Sequence, residues 1–226
     1  MGGATDKANR LLRDLWIAER KRADDKLLDL YPLQYPELQT RQLVFVGMNP
    51  SHAEENEPIL RVTRAEDLQD EERVKKIIDL ELRALGRKDV DPVAYYRPLQ
   101  EFHPSWEHLD IFAVRDASQR RALTLLQPDG VLTSFAEAQL QVFDELLVAL
   151  QPSTVVVINA GASAILRKRY AACTFDDERG HHVVVLGARH TPIFFSGMLT
   201  GQRSLDVHSR ERLVWHVKRT VENLGT

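Results

Sequence analysis

The run Leu43-Val44-Phe45-Val46-Gly47-Met48-Asn49-Pro50-Ser51 most narrowly limits what this chain can become. It is short, apolar and β-branched, with no helical period, so it predicts a buried strand. Gly47 reaches backbone angles closed to other residues, and Pro50, lacking an N–H, stops the strand. In parallel sheets the loops leaving the carboxyl ends of strands form the ligand crevice, which makes Asn49 a candidate site residue. The competing reading is a loop asparagine that bonds its own turn.

A second segment strengthens the functional reading. His181 to Leu186 predicts another strand, ending in Gly187 and the polar tip Ala188-Arg189-His190-Thr191-Pro192. Ile193 to Gly201 then reads as an apolar loop punctuated by glycines. Between the two motifs, Trp106 to Val114 predicts a middle strand, and Thr154 to Gly161 a strand that leads into a helix over 162–170. Residues 5–30 and 64–85 carry amphipathic helical stripes, the second built from Val74, Ile77, Ile78, Leu80 and Leu85 and stopped by Gly86. Ser134 with Glu137 predicts a capping box for a helix through Leu150. Asp206 to Leu224 predicts a closing helix with Leu213, Val214, Val217 and Val221 facing inward. Strands alternating with helices imply a three-layer α/β/α fold on a central four-stranded parallel sheet.

The chain has 226 residues and 43% apolar content, enough for one domain with a full core. A single domain over 1–226 is expected, with 1–40 as a helical cover and 52–105 as an insertion or lid. The net charge of −3 gives no whole-chain argument for nucleic acid. The charge is uneven, however: 54–81 is acidic, whereas 161–226 is basic and includes Arg189, Arg203, Arg210 and Arg212. Such a rim can contact phosphates, although a solvated helix face reads the same way. Cys173 is the only cysteine, which excludes an internal disulfide and a cysteine-based metal site. Met1 to Asp14 is polar, no apolar run reaches membrane-spanning length, and a cytoplasmic location is the default expectation.

Gly47-Met48-Asn49-Pro50 and the late His190 motif, in this order, resemble the two signature motifs of the uracil-DNA glycosylase superfamily. The resemblance covers roughly residues 40 to 220. Asn49-Pro50-Ser51-His52-Ala53 followed by Glu57-Pro58-Ile59-Leu60-Arg61 also resembles an uncharacterised glycosylase-like relative of that superfamily. The resemblance implies a uracil-DNA glycosylase-like fold and a monofunctional base-excision enzyme that flips an altered base out of single- or double-stranded DNA. It implies no cofactor, no metal and a monomer. Asn49 would hold the attacking water and His190 would donate to the leaving base.

Gly47, Met48, Pro50 and Ser51 would shape the pocket, with Tyr96 or Phe102 as an aromatic face; Tyr95 competes for that role. Met198 and Leu199 would form an apolar wedge, and Arg189 and Arg203 would contact DNA. Asp110 occupies the position at which the superfamily places a base-reading asparagine. An ionised aspartate only accepts hydrogen bonds, so Asp110 either favours a base that presents donors or is held protonated. Arg115 and Asp116 are expected to close an ion pair at the strand end. Two alternatives stay open: a non-catalytic base- or nucleotide-binding module of the same fold, and a hydrolase of free nucleosides or nucleotides. A Rossmann cofactor enzyme is disfavoured, since no Gly-x-Gly-x-x-Gly turn occurs.

Overall fold

The computed structural model describes residues 2–23, 26–50, 64–201 and 204–224. Among them, six strands form one sheet: β1 (Leu43–Gly47), β2 (Trp106–Asp110), β3 (Thr154–Val157), β4 (Thr174–Asp176), β5 (His181–Leu186) and β6 (Arg189–Phe195). Six α-helices accompany them: α1 (Gly2–Arg20), α2 (Glu71–Ala84), α3 (Gln119–Leu126), α4 (Ser134–Leu150), α5 (Ala160–Arg169) and α6 (Val207–Leu224). The class is α/β, as the alternation predicts. The sheet is mixed, however, and larger than the four parallel strands expected.

Its strand order is β2-β1-β3-β6-β5-β4. β1 pairs in parallel with β3, and β3 in parallel with β6. β6 then runs antiparallel to β5, and β5 antiparallel to β4. The correction comes from residues 189–195. The turn at Gly187, with its φ of +60°, reverses the chain at once, so Ile193 to Phe195 lie in a strand rather than in an apolar loop. Ile193 and Phe194 are buried there, aligned with Val155 and Val156. A hairpin hides this strand from periodicity arguments, because both of its arms are apolar.

The chain groups into two compact units. The first comprises Met1–Leu38, Met48–Arg83 and Asp110–Leu146. Trp16, fully buried on α1, donates from its indole to the Leu30 carbonyl at 2.9 Å and packs edge-on against Phe135 at 5.0 Å. Asn9 fixes the approach to β1 by bonding both the N–H and the carbonyl of Tyr35. Tyr31, Leu68 and Ile77 form an apolar cluster. The Thr133 hydroxyl, not that of Ser134, accepts from the Ala136 N–H and caps α4.

The second unit comprises Gln39–Gly47, Ala84–Leu109 and Leu147–Thr226, and so holds most of the sheet. Its core joins Phe45, Val156, Ile158 and Phe194 to Leu85, Leu99, Phe102 and Trp106 and to Val217 of α6. Residues 64–83 belong to the first unit, 84–105 build the core of the second, and 51–63 lie outside the described residues. Gly86 ends α2 with a φ of +75°, and a Cβ there would stand 2.8 Å from Pro92 Cδ. No helix among the described residues is long and apolar enough to cross a membrane.

Candidate functional site

The strand order reverses between β1 and β3, so the carboxyl ends of these two strands form the topological switch point of the sheet. Ligands of open α/β sheets bind at such points. Met48, Asn49 and Pro50 follow β1 in the chain and belong to the first unit, together with 110–116. The Met48 carbonyl accepts from the Phe112 N–H at 3.0 Å, and the Pro50 carbonyl accepts from the Asp116 N–H at 3.1 Å. These two bonds hold the backbone on either side of Asn49.

The Asn49 side chain is pinned by one end only. Its Nδ2 donates to the carbonyls of Asp116 at 2.8 Å, Val114 at 3.2 Å and Pro50 at 3.3 Å. The amide cannot be turned over, because its oxygen would then face three acceptors. Its Oδ1 is buried and meets no hydrogen-bond partner among the described residues. Leaving an acceptor in that state costs about 1–3 kcal/mol. The arrangement is a rigid carbonyl oxygen, already desolvated and oriented, with capacity for one more donor.

Asp110 ends β2 and is buried in the same unit. Burial, reinforced by the neighbouring Glu81 carboxylate and opposed by Arg115, raises its pKa to about 8. The carboxyl is therefore mostly neutral at pH 7, and a neutral carboxyl both donates and accepts. Arg115 pairs with Glu81 and lies 4.5 Å from the Tyr31 ring centre. The Tyr35 hydroxyl donates to the Asp110 main-chain carbonyl at 3.0 Å, and burial holds that phenol well above its usual range. The expected Arg115–Asp116 pair does not form. Asp116 instead accepts from Arg121 at 2.9 Å and from the Ser118 N–H at 2.5 Å, opening α3.

Sequence reasoning passed over Glu81, Tyr31 and Tyr35. One signal was present: Glu81 lies four residues after Ile77 and four before Leu85, on the apolar stripe of its helix, where a lone charge needs a buried partner. Tyr31 and Tyr35 each precede a proline, a pairing that suggests a turn and carries no sign that their rings are buried.

The remaining expected site residues distribute as follows. Gly47 closes β1, Met48 is 2% exposed, and Pro50 is buried, so these three form the frame around Asn49. Ser51 and Arg203 lie outside the described residues. Phe102 is in the core, edge-on to Phe45 at 5.1 Å, which leaves no face for a ligand. Tyr96 is half-buried, stacked near Trp106 and edge-on to His108. His108 itself is driven down to a pKa of about 3 by burial and by Arg87, and is neutral. Leu199 is buried in the core of the second unit and cannot act as a wedge, whereas Met198 is partly exposed and bridges to Ser204.

His190 and Arg189 carry the second motif. Both are exposed and open β6, cross-strand from Val185 and Leu186. β6 runs parallel to β3, so they stand at the amino end of the strand, five residues before Phe195, or roughly 16 Å. Within the second unit that is the end of the sheet opposite Gly47.

No protein-family model matches this chain, and no curated protein matches it.

Proposed function

We propose that this chain is an N-glycosyl hydrolase of uracil-DNA glycosylase-like fold that removes an altered base from DNA, with Asn49 as the water-holding residue. The observation that carries the proposal is the Asn49 carboxamide, locked by its nitrogen and presenting a desolvated oxygen that is unpaired among the described residues. In such a reaction the bond between C1′ and the base nitrogen breaks, and both electrons leave with the base. The water held at Oδ1 bonds to C1′, and its proton passes to the departing base anion. An amide is a poor base, so its contribution is position and electrostatic support for the incoming water. Asp110, kept neutral, offers the donor and acceptor pair that a uracil edge demands and that an ionised aspartate lacks. One edge of it then presents a donor and an acceptor, as an asparagine edge does.

The test is a strand-cleavage screen with alkali after incubation. The DNA panel carries uracil, hypoxanthine, xanthine, 5-hydroxymethyluracil or modified cytosines in single and double strands. The expected result is cleavage at one base that is lost in Asn49→Ala and altered in Asp110→Asn. Efficient excision of plain uracil that survives Asp110→Asn unchanged refutes the reading role of Asp110. Silence across the panel refutes the hydrolase.

A second reading is a base-binding module without catalysis. It is favoured by the position of His190, since the residue expected to donate to the leaving base stands at the amino end of β6. Saturable binding without abasic product would identify this case.

A further inference from the structure

His190 lines a groove of about 610 Å3 that lies wholly within the second unit. Its walls include Gly180, His181, Trp215, His216 and Arg219. The feature that needs explaining is Trp215. It is 57% exposed, whereas Trp16 and Trp106, the other two tryptophans, are buried at 0% and 7%. A large indole left in water forgoes a substantial burial gain, so a face held open in this way suits a ligand that stacks.

The surroundings specify the ligand. The Arg219 guanidinium lies 5.6 Å from the indole centre, and the His216 ring packs edge-on at 4.9 Å, holding the plane in place. His216 in turn sits over Gly180, whose absent Cβ would stand 3.5 Å from its Cε1. On the other side of the indole, one helical turn earlier, Arg212 lines an adjoining groove with His208 and Glu211. Glu211 is occupied by His208 at 3.4 Å. Neither Arg212 nor Arg219 is within ion-pairing distance of a carboxylate among the described residues. Seven residues of helix separate these arginines by roughly 10 Å along the axis. The pattern is cation, aromatic face, cation along one helix face.

Deeper in the groove, His181 is buried and its Nδ1 lies 3.1 Å from the His182 carbonyl. A carbonyl only accepts, so Nδ1 is the donor in that contact. Asp177 and Glu178 add acceptors at the rim, so phosphates are directed to the arginine side and a base edge to the groove side.

We infer that Trp215 is a stacking platform for a nucleobase of a single nucleic-acid strand, with Arg212 and Arg219 taking the flanking phosphates. Stacking on an aromatic side chain between cationic groups is how single strands are held without sequence readout. The choice of a strand as the occupant rests on the proposed function. An enzyme that works on one nucleotide gains by gripping the strand elsewhere.

The test uses the full chain and unmodified dT12, which carries no base to excise, so its result is readable whether or not the protein is a hydrolase. Tryptophan emission should be quenched on titration, because only Trp215 is open to stacking. In anisotropy with labelled dT12, Trp215→Ala should weaken binding about tenfold, as expected for the loss of one stacked base. Trp215→Phe should recover part of that loss. Arg212→Glu with Arg219→Glu should weaken binding and flatten its salt dependence. Undiminished binding by Trp215→Ala overturns the platform. Quenching by dTMP at the same concentrations as dT12 overturns the strand and identifies a free-nucleotide site.

Discussion

Asp110→Asn is the perturbation that most directly tests the physical reading of the buried cluster. The wild-type carboxyl has its pKa raised to about 8 from an ordinary 3.8. The folded state therefore binds one more proton than the unfolded chain across that window. Stability contributed by the neutral form is complete below the unfolded pKa and is lost as pH rises, at about 1.4 kcal/mol per unit, levelling off above pH 8. His108 works in the opposite sense. Its pKa falls from 6.5 to about 3, so below pH 6.5 stability rises with pH and masks the Asp110 slope in the wild type alone. Glu107, raised by burial beside Arg87, adds to the Asp110 trend. Both of these groups are common to the two proteins, so the difference between variant and wild type isolates Asp110. Between pH 5 and pH 8 that difference should move by about 3–4 kcal/mol in favour of the variant. For a chain of this size it corresponds to a shift of roughly 7–14 °C in the gap between the two Tm values. Thermal unfolding in matched buffers across this range reads it directly. Melting curves that stay parallel at every pH would refute a neutral Asp110, and with it the base-reading role argued above.

Three further outcomes are expected. Asn49→Ala should lower excision about 10²-fold or more by removing the oriented oxygen. It should also lower stability by about 1–3 kcal/mol, since the Asp116, Val114 and Pro50 carbonyls lose their donor; activity and urea-unfolding measurements separate the two effects. Thr133→Ala should cost about 1 kcal/mol in denaturant unfolding and Ser134→Ala almost nothing, because only the Thr133 hydroxyl caps α4. Gly86→Ala should destabilise by at least ~1–2 kcal/mol, as its positive φ and the approach of Pro92 leave no room for a Cβ; an unchanged Tm would refute that geometry.

What was legible in the sequence follows from which forces act locally. β1, β3 and α6 are local patterns: a β-branched apolar run ended by Gly47, another ended by Asn159, and a stripe through Val217. Asn159 even announces its role, accepting from the N–H groups of Gly161 and Ala162 to cap α5. The β5–β6 hairpin was not legible, because Ile193-Phe194-Phe195 is equally apolar as loop or strand. Only pairing with β3 decides between them, and that partner is nearly forty residues away in sequence. The placement of His190 follows from the same ambiguity. Assigning the strand end to Leu186 instead of Phe195 moves the functional edge by a whole strand and reverses which end of the sheet the histidine occupies.

Asn49 and Asp110 illustrate the complementary case, in which residue type was legible and environment was not. A polar residue after a buried strand suggests a site, but the chemistry depends on which atoms are already satisfied. For Asn49, three main-chain carbonyls consume both amide protons, so the oxygen alone remains to act. For Asp110, Glu81 and burial outweigh Arg115, because the guanidinium is shared with a second carboxylate in the same cluster. Two carboxyls facing one buried cation cannot both stay ionised at little cost, so a proton is retained. Substituting Glu81 by Gln removes that competition. It should bring the Asp110 pKa down and shrink the pH-dependent gap between Asp110→Asn and its parent when both are made in the Glu81→Gln background. A gap that keeps its full size there would mean burial alone holds the proton, and that Glu81 has no part in setting the state of the site.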